Sequence, residues 1–149
     1  MLENSKHIII VGAGIAGLTA ALSLRHYGIR TSIYERSPEI ITAGAGIQLS
    51  PNANRVLSRI GVLKEISSVS IRCHGVKVFD YKSNRQLALF DYMKFKGNDF
   101  FYFCHRADLV GVLYAACQKL EIPVYFNKKL EKIINKKAVF SDEETLSAE

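Results

Sequence analysis

The feature that most constrains this chain is a glycine-rich turn placed directly after an apolar strand near its beginning. Residues 7–11 read His-Ile-Ile-Ile-Val, a β-branched run without polar alternation that is typical of a strand buried on both faces of a parallel sheet. Residues 12–17, Gly-Ala-Gly-Ile-Ala-Gly, interrupt this run. The pattern that follows predicts a helix over about 15–27 that stops at Gly28, and a second strand over about 31–35. These elements predict a βαβ unit.

Each glycine of this G-x-G-x-x-G run has a physical task. Gly12 permits a tight turn, Gly14 lets the backbone approach a pyrophosphate, and Gly17 lets helix and strand pack closely. Unpaired N–H groups at the start of the helix favour a phosphate. The run therefore predicts an ADP-binding site made by Gly12, Ala13, Gly14, Ile15, Ala16 and Gly17.

An acidic residue stands where the ribose of such a cofactor is expected. Glu35 ends the second strand, eighteen residues after Gly17, and a carboxylate there can accept hydrogen bonds from ribose hydroxyls. The same negative charge repels a 2′-phosphate, so the site should favour ADP-type over NADP-type ligands.

The spacing of apolar and polar residues changes in the middle of the chain. Residues 75–90 alternate around a polar turn and predict an antiparallel hairpin. The segments on either side are predicted to contain a strand near 46–49, helices near 52–60 and 63–66, a strand near 100–104, a helix near 107–120, and strands near 124–126, 130–134 and 139–140. Further βα units of an NAD-type Rossmann fold are not apparent where the hairpin lies.

Composition excludes several classes of function. Of the +6 net charge, much comes from five lysines between 128 and 137, a pattern more typical of a solvated face than of a nucleic-acid site. No apolar run has the length of a membrane span, and the beginning does not read as a signal peptide. Three cysteines without a C-x-x-C pair and four scattered histidines predict no metal site and a reducing, cytoplasmic setting.

Three further segments carry a family resemblance. They are Tyr34-Glu35-Arg36, the stretch Gly-Ala-Gly-Ile-Gln-Leu-Ser-Pro-Asn-Ala at 44–53, and His-Arg-Ala-Asp-Leu at 105–109. With the glycine turn, in this order and spacing, the chain resembles the N-terminal part of the class A flavoprotein aromatic hydroxylases, the group of the salicylate and ubiquinone-biosynthesis hydroxylases. The resemblance covers most of residues 7–120.

This resemblance implies roles for individual residues. Glu35 would bind the adenosine ribose of FAD with Arg36 beside it, and Arg106 would reach the phosphate or ribitol region. Gly46 and Ile47 would approach the flavin side. The residues themselves leave plainer readings open, in which Arg106 is a surface residue at a helix start, Gly46 is a turn glycine and Arg36 has no role. No catalytic residue can be assigned.

The resemblance also implies a domain plan and an activity. The expected fold class is α/β, a Rossmann-like βαβ unit followed by the beginning of an antiparallel substrate-domain sheet. Residues 1–72 would bind the ADP moiety, 73–104 would begin the substrate sheet, and 105–149 would return to the FAD domain. The activity would be hydroxylation of a small aromatic substrate by an FAD-dependent monooxygenase that uses NADH or NADPH. The oligomeric state is not specified.

The chain departs from the family at its end. Complete members carry Asp-Gly and Gly-Asp segments that hold the pyrophosphate and the ribityl chain, and neither dipeptide occurs here. We therefore expect a chain that is incomplete relative to the family and inactive alone. Two alternatives stay open at this point: a non-catalytic truncated product that keeps part of the dinucleotide-binding fold, and an NAD-dependent Rossmann oxidoreductase.

Overall fold

The computed structural model describes residues 7–40, 44–94 and 100–147. The chain divides into two compact units, one of residues Met1–Gly44 with Arg106–Glu149 and one of residues Ala45–His105. The first boundary falls earlier than the division expected after residue 72, because the strand at Gly46–Leu49 pairs within the second unit. The assignment of these units to cofactor and substrate stays a prediction.

The first unit begins with the βαβ arrangement expected from the glycine turn. Strand β1 is His7–Val11, helix α1 is Ile15–His26, and strand β2 is Arg30–Tyr34. The two strands pair in parallel, with His7 opposite Arg30 and Val11 opposite Tyr34.

The second unit is built from short antiparallel strands and two helices. In chain order its elements are β3 (Gly46–Leu49), α2 (Pro51–Arg59), α3 (Leu63–Ser68), β4 (Ile71–Cys73), β5 (Gly75–Phe79), β6 (Gln86–Asp91), a 3₁₀ turn (Tyr92–Lys94) and β7 (Phe101–His105). One sheet has the order β3-β7-β4, and β5 with β6 forms the expected hairpin. The sequence did not predict β4, which has only three residues and pairs with a strand far along the chain.

The remaining elements return to the first unit. They are α4 (Arg106–Lys119), β8 (Val124–Tyr125), β9 (Leu130–Ile134), β10 (Lys137–Phe140) and β11 (Thr145–Ser147). β8 joins β2 in parallel to give the sheet order β1-β2-β8, and the last three strands form an antiparallel sheet. The sequence did not predict β11.

The core of the first unit holds the glycine turn in place from two sides. Helices α1 and α4 pack together through Leu18 and Leu22 on one and Leu109 and Leu113 on the other, all at most 1% exposed. At the end of β2, the ring of Tyr34 lies 4.9 Å from the ring of Phe140 in β10. Truncating such a buried leucine typically lowers the free energy of unfolding by about 2–5 kcal/mol. This core therefore holds α1 and the end of β2, and with them the glycine turn, in place.

Three helices end in the same backbone motif, but only two of them have glycine at its left-handed position. After α1 and α2 this position is Gly28 (φ +75°) and Gly61 (φ +79°), whereas after α4 it is Glu121 (φ +54°). At the end of α4, the N–H groups of Glu121 and Ile122 donate to the carbonyls of Gln118 and Cys117. A side chain in this conformation is strained, and glycine removes the strain.

We therefore expect Glu121→Gly to raise the free energy of unfolding by about 0.5–1 kcal/mol. Urea denaturation followed by circular dichroism measures the change. Glu121→Ala removes the same charge but keeps the strain, so it should show no comparable gain. An equal gain in both variants would mean that the charge, and not the backbone, is responsible.

Candidate functional site

Only glycine fits at two positions around the turn between β1 and α1, at Gly12 because of its backbone conformation and at Gly17 because of close packing. Gly12 adopts φ +100°, and its N–H donates to the carbonyl of Tyr34 at 2.8 Å. A Cβ atom on Gly17 would overlap the carbonyl oxygen of Gly12 and lie 3.3 Å from Cγ2 of Ile10. Gly12 and Gly17 are therefore needed for the turn itself.

Gly14 differs, because no described residue occupies the space beside it. A Cβ atom added there would meet no atom within 4 Å, and φ is −81°. Among the described residues, no side chain caps the first turn of α1 and no acid lies in it. The N–H groups of that turn can therefore receive an anionic group, and the missing Cβ leaves room for it.

Glu35 is tied to the glycine turn by its carboxylate. Its Oε2 accepts the N–H of Ala13 at 2.7 Å, and its Oε1 accepts the N–H of Ser37 at 2.9 Å. Its own N–H donates to the carbonyl of Tyr125 at 2.8 Å. Each carboxylate oxygen keeps capacity for a further hydrogen bond, so the group can hold the turn and still accept a ligand hydroxyl.

These contacts set the charge of Glu35. Partial burial acts to raise the pKa of its carboxyl, but the backbone N–H bonds from Ala13 and Ser37, the Ser37 hydroxyl and the charge of Arg36 together outweigh burial, and the pKa lies below its ordinary value of 4.5. The carboxylate is therefore ionised at neutral pH.

A dependence of stability on pH follows from that shift. Because the folded-state pKa is lower than the unfolded one, the stabilisation from Glu35 is complete above about pH 4.5 and is lost as the pH falls through the folded-state pKa. Urea unfolding at a series of pH values should show this loss in the native chain. Glu35→Gln should remove that part of the pH dependence, and an unchanged profile would contradict the assignment.

A cavity of about 270 Å³ brings most of the predicted site residues together. Six of the eleven line it: Gly12, Ala13, Gly14, Glu35, Arg36 and Arg106. Ile15, Ala16 and Gly17 continue from it into the start of α1. Gly46 and Ile47 belong to the second unit, where they pair with His105 and Cys104. Their expected place at the flavin stays a prediction.

Two apolar lining residues were missed by the sequence analysis, namely Ile40 and Val110. Val110 follows Arg106 by four residues in α4, so helical spacing could have found it on the same face. Ile40 follows Pro38-Glu39 in an irregular segment, where no periodic signal exists.

Arg106 stands at the first position of α4 and packs against the end of the first segment of its own unit. A Cβ atom on Gly44 would lie 2.9 Å from Cβ of Arg106. Gly44 therefore permits a close approach of the arginine stem, which is a more specific role than that of an ordinary turn glycine. Arg36 also lines the cavity, so both arginines belong to one site with Glu35.

In the described ranges, no group of three or more potential metal ligands occurs. The helices in those ranges include none with both the length and the apolarity required to cross a bilayer.

The fold and the site define a class, an α/β domain with a dinucleotide-binding βαβ unit. The chain belongs to the FAD binding domain family, whose profile matches residues 5–145. This confirms the resemblance and the cofactor type expected from the sequence, and it decides against the NAD-dependent alternative.

Two curated relatives, each 36% identical to this chain over the matched residues, are named as a monooxygenase and a hydroxylase. The chain is 36% identical over 112 residues to 3-amino-4-hydroxybenzoate 2-monooxygenase of Streptomyces cremeus, covering 73% of this chain and 28% of that protein. It is also 36% identical over 118 residues to 3-hydroxybenzoate 6-hydroxylase 1 of Aquipseudomonas alcaligenes, covering 76% and 30%. The chain thus spans less than a third of the length of these relatives.

The fold is also that of a solved oxygenase. A crystal structure of 2-methyl-3-hydroxypyridine-5-carboxylic acid oxygenase superposes with a TM-score of 0.87 at 23% identity, over 97% of this chain and 38% of that one. The likeness confirms the expected α/β fold class.

Proposed function

We propose that this chain provides the ADP-binding part of an FAD-dependent monooxygenase that takes electrons from NADH or NADPH and hydroxylates a small aromatic molecule. The observation that carries the proposal is the cavity in which the glycine turn, Glu35, Arg36 and Arg106 meet. Six of its eight lining residues are predicted site residues, and the family match supports FAD as the ligand.

Different residues of this site would bind different parts of FAD. The first turn of α1 would hold the pyrophosphate through its N–H groups, with Gly14 open beside them. Glu35 would accept the hydroxyls of the adenosine ribose while its bond to Ala13 keeps the turn in register. Arg36 and Arg106 offer planar forks of donors that match phosphate oxygens.

FAD, when bound, supplies the redox chemistry, and the residues of this chain bind it and orient it. The negative charge of Glu35 disfavours a ligand with a 2′-phosphate at this site. Gly46 and Ile47 are proposed to face the flavin side, and the strands within residues 73–104, namely the β5–β6 hairpin and β7, are proposed to begin the substrate region. The aromatic substrates named for the relatives support this substrate class.

We also propose that the protein works in the cytoplasm. Cys73, Cys104 and Cys117 are all buried, and none forms a disulfide among the described residues, which supports a reducing compartment.

Titration of the chain with FAD, followed by flavin absorbance and fluorescence, tests the binding role. Gly14→Ala is the informative variant, since the added methyl meets no protein atom and lies where the pyrophosphate is expected. We expect near-native stability with FAD affinity lowered at least about tenfold, which is about 1.4 kcal/mol. FAD binding equal to that of the native chain would contradict the assigned site, and tighter binding of NAD⁺ than of FAD would contradict the proposed cofactor.

A further inference from the structure

A second cleft lies in the first unit, at the opposite ends of its parallel strands. It encloses about 360 Å³, a size within the range of small-molecule sites. His7 and Arg30 line it. They are the first residues of β1 and β2 and lie side by side as a pair in the parallel register. Gly12 follows the far end of β1, so the five residues of that strand, about 17 Å, separate the cleft from the glycine turn.

We propose that this cleft binds a small organic anion, a carboxylate or phosphate group carried on an apolar body. Among the described residues that line the cleft, Arg25, Arg30 and His7 are accompanied by one acid, Glu121. Within the described residues neither arginine forms an ion pair. Arginine forks match both carboxylate and phosphate oxygens.

A buried hydroxyl gives a second, independent reason to expect a ligand. Thr31 lines the cleft and is only 6% exposed, yet its Oγ1 has no hydrogen-bond partner among the described residues. The hydroxyl of the next residue, Ser32, does have a hydrogen-bond partner, since its Oγ lies 3.1 Å from Nε2 of His7. A buried hydroxyl without a partner is unfavourable. A ligand oxygen, or a water held by the ligand, would provide the partner.

The walls of the cleft define the rest of the ligand. An apolar surface between the end of α4 and the start of β8 is formed by Leu120, Ile122 and Pro123. Inorganic phosphate would use only the cationic groups, whereas an aromatic or aliphatic acid would use both. We therefore expect benzoate to bind more tightly than inorganic phosphate.

Amide chemical-shift titration of the full chain with benzoate and with inorganic phosphate, each in the presence of saturating FAD, tests the proposal. Saturable shifts are expected at His7, Arg30 and Thr31 and not at residues 12–17. Arg30→Gln should weaken benzoate binding at least fivefold. Arg85→Gln removes the same charge from the second unit and should leave binding unchanged. Equal weakening in both variants, or shifts that do not saturate, would overturn the proposal.

Thr31→Val separates a binding role from a purely structural one. Removing an unpartnered hydroxyl should raise the melting temperature without ligand. If the hydroxyl serves the ligand, benzoate should then raise the melting temperature of the variant less than that of the native chain. An identical benzoate-induced rise of the melting temperature in the two proteins would show that Thr31 takes no part. In the titration, chemical-shift changes confined to the glycine turn would place the anion there instead.

Discussion

Gly17→Ala is expected to lower the free energy of unfolding by about 3 kcal/mol or more. The added Cβ would overlap the carbonyl oxygen of Gly12, a backbone atom that cannot move without opening the turn between β1 and α1. A flexible side chain could shift to make room, but here both colliding groups belong to hydrogen-bonded elements. Urea unfolding followed by circular dichroism measures the loss, and FAD titration should show that binding is lost as well.

Gly111→Ala is the matched control for that experiment. Gly111 lies inside α4, and a Cβ atom there would meet no atom within 4 Å. Alanine in a helix interior is more favourable than glycine by roughly 0.5–1 kcal/mol, so this variant should be slightly more stable than the native chain. If Gly17→Ala behaved like Gly111→Ala, the close packing of α1 on β1 would be refuted.

Glu35→Ala is expected to weaken binding of FAD, and of ADP alone, by roughly 1.5–3 kcal/mol, which is about a ten- to hundredfold rise in Kd. The loss of a charge-assisted hydrogen bond to the ribose accounts for most of this change. The variant also leaves the N–H groups of Ala13 and Ser37 without the carboxylate. Stability must therefore be measured in parallel, by urea unfolding of the same variant.

Two further variants isolate the ribose contact. Glu35→Gln keeps the shape and a hydrogen-bond acceptor but removes the charge, so its loss of affinity should be smaller than that of alanine. Glu39→Ala removes an exposed acid from the same loop and should change little. Native affinity in a folded Glu35→Ala protein would show that this carboxylate does not reach the ligand.

Much of the fold could be predicted because its signals are local. The glycine turn, the β-branched run of β1 and the polar turn between β5 and β6 each lie within a few consecutive residues. Strands β4 and β11 have three residues each, and β4 takes its strand character from a distant partner, since Cys73 pairs with Phe101. Such short strands carry no period of their own.

The site was predictable only in its parts. Motif spacing selected Glu35 and Arg106, but the carboxylate bonds to Ala13 and Ser37 depend on how β2 is held by Tyr125, which is ninety residues further along the chain. Likewise, the late lysines were expected to be a solvated face. Lys129, Lys132, Lys136 and Lys137 are exposed, as expected, whereas Lys128 is half-buried and bonds to Asp142 and Glu144, which raise its pKa. Contacts of this kind arise only after distant strands have paired.

The close approach of Gly44 and Arg106 has a consequence for how this domain can vary. The chain leaves the first unit after Gly44 and re-enters it at Arg106, and a Cβ on the first would lie only 2.9 Å from the Cβ of the second. A segment whose two ends meet in this way can change in length or sequence without opening the unit that carries it. Insertions and divergence among homologous proteins should therefore concentrate between these two residues, while the first unit keeps its closure.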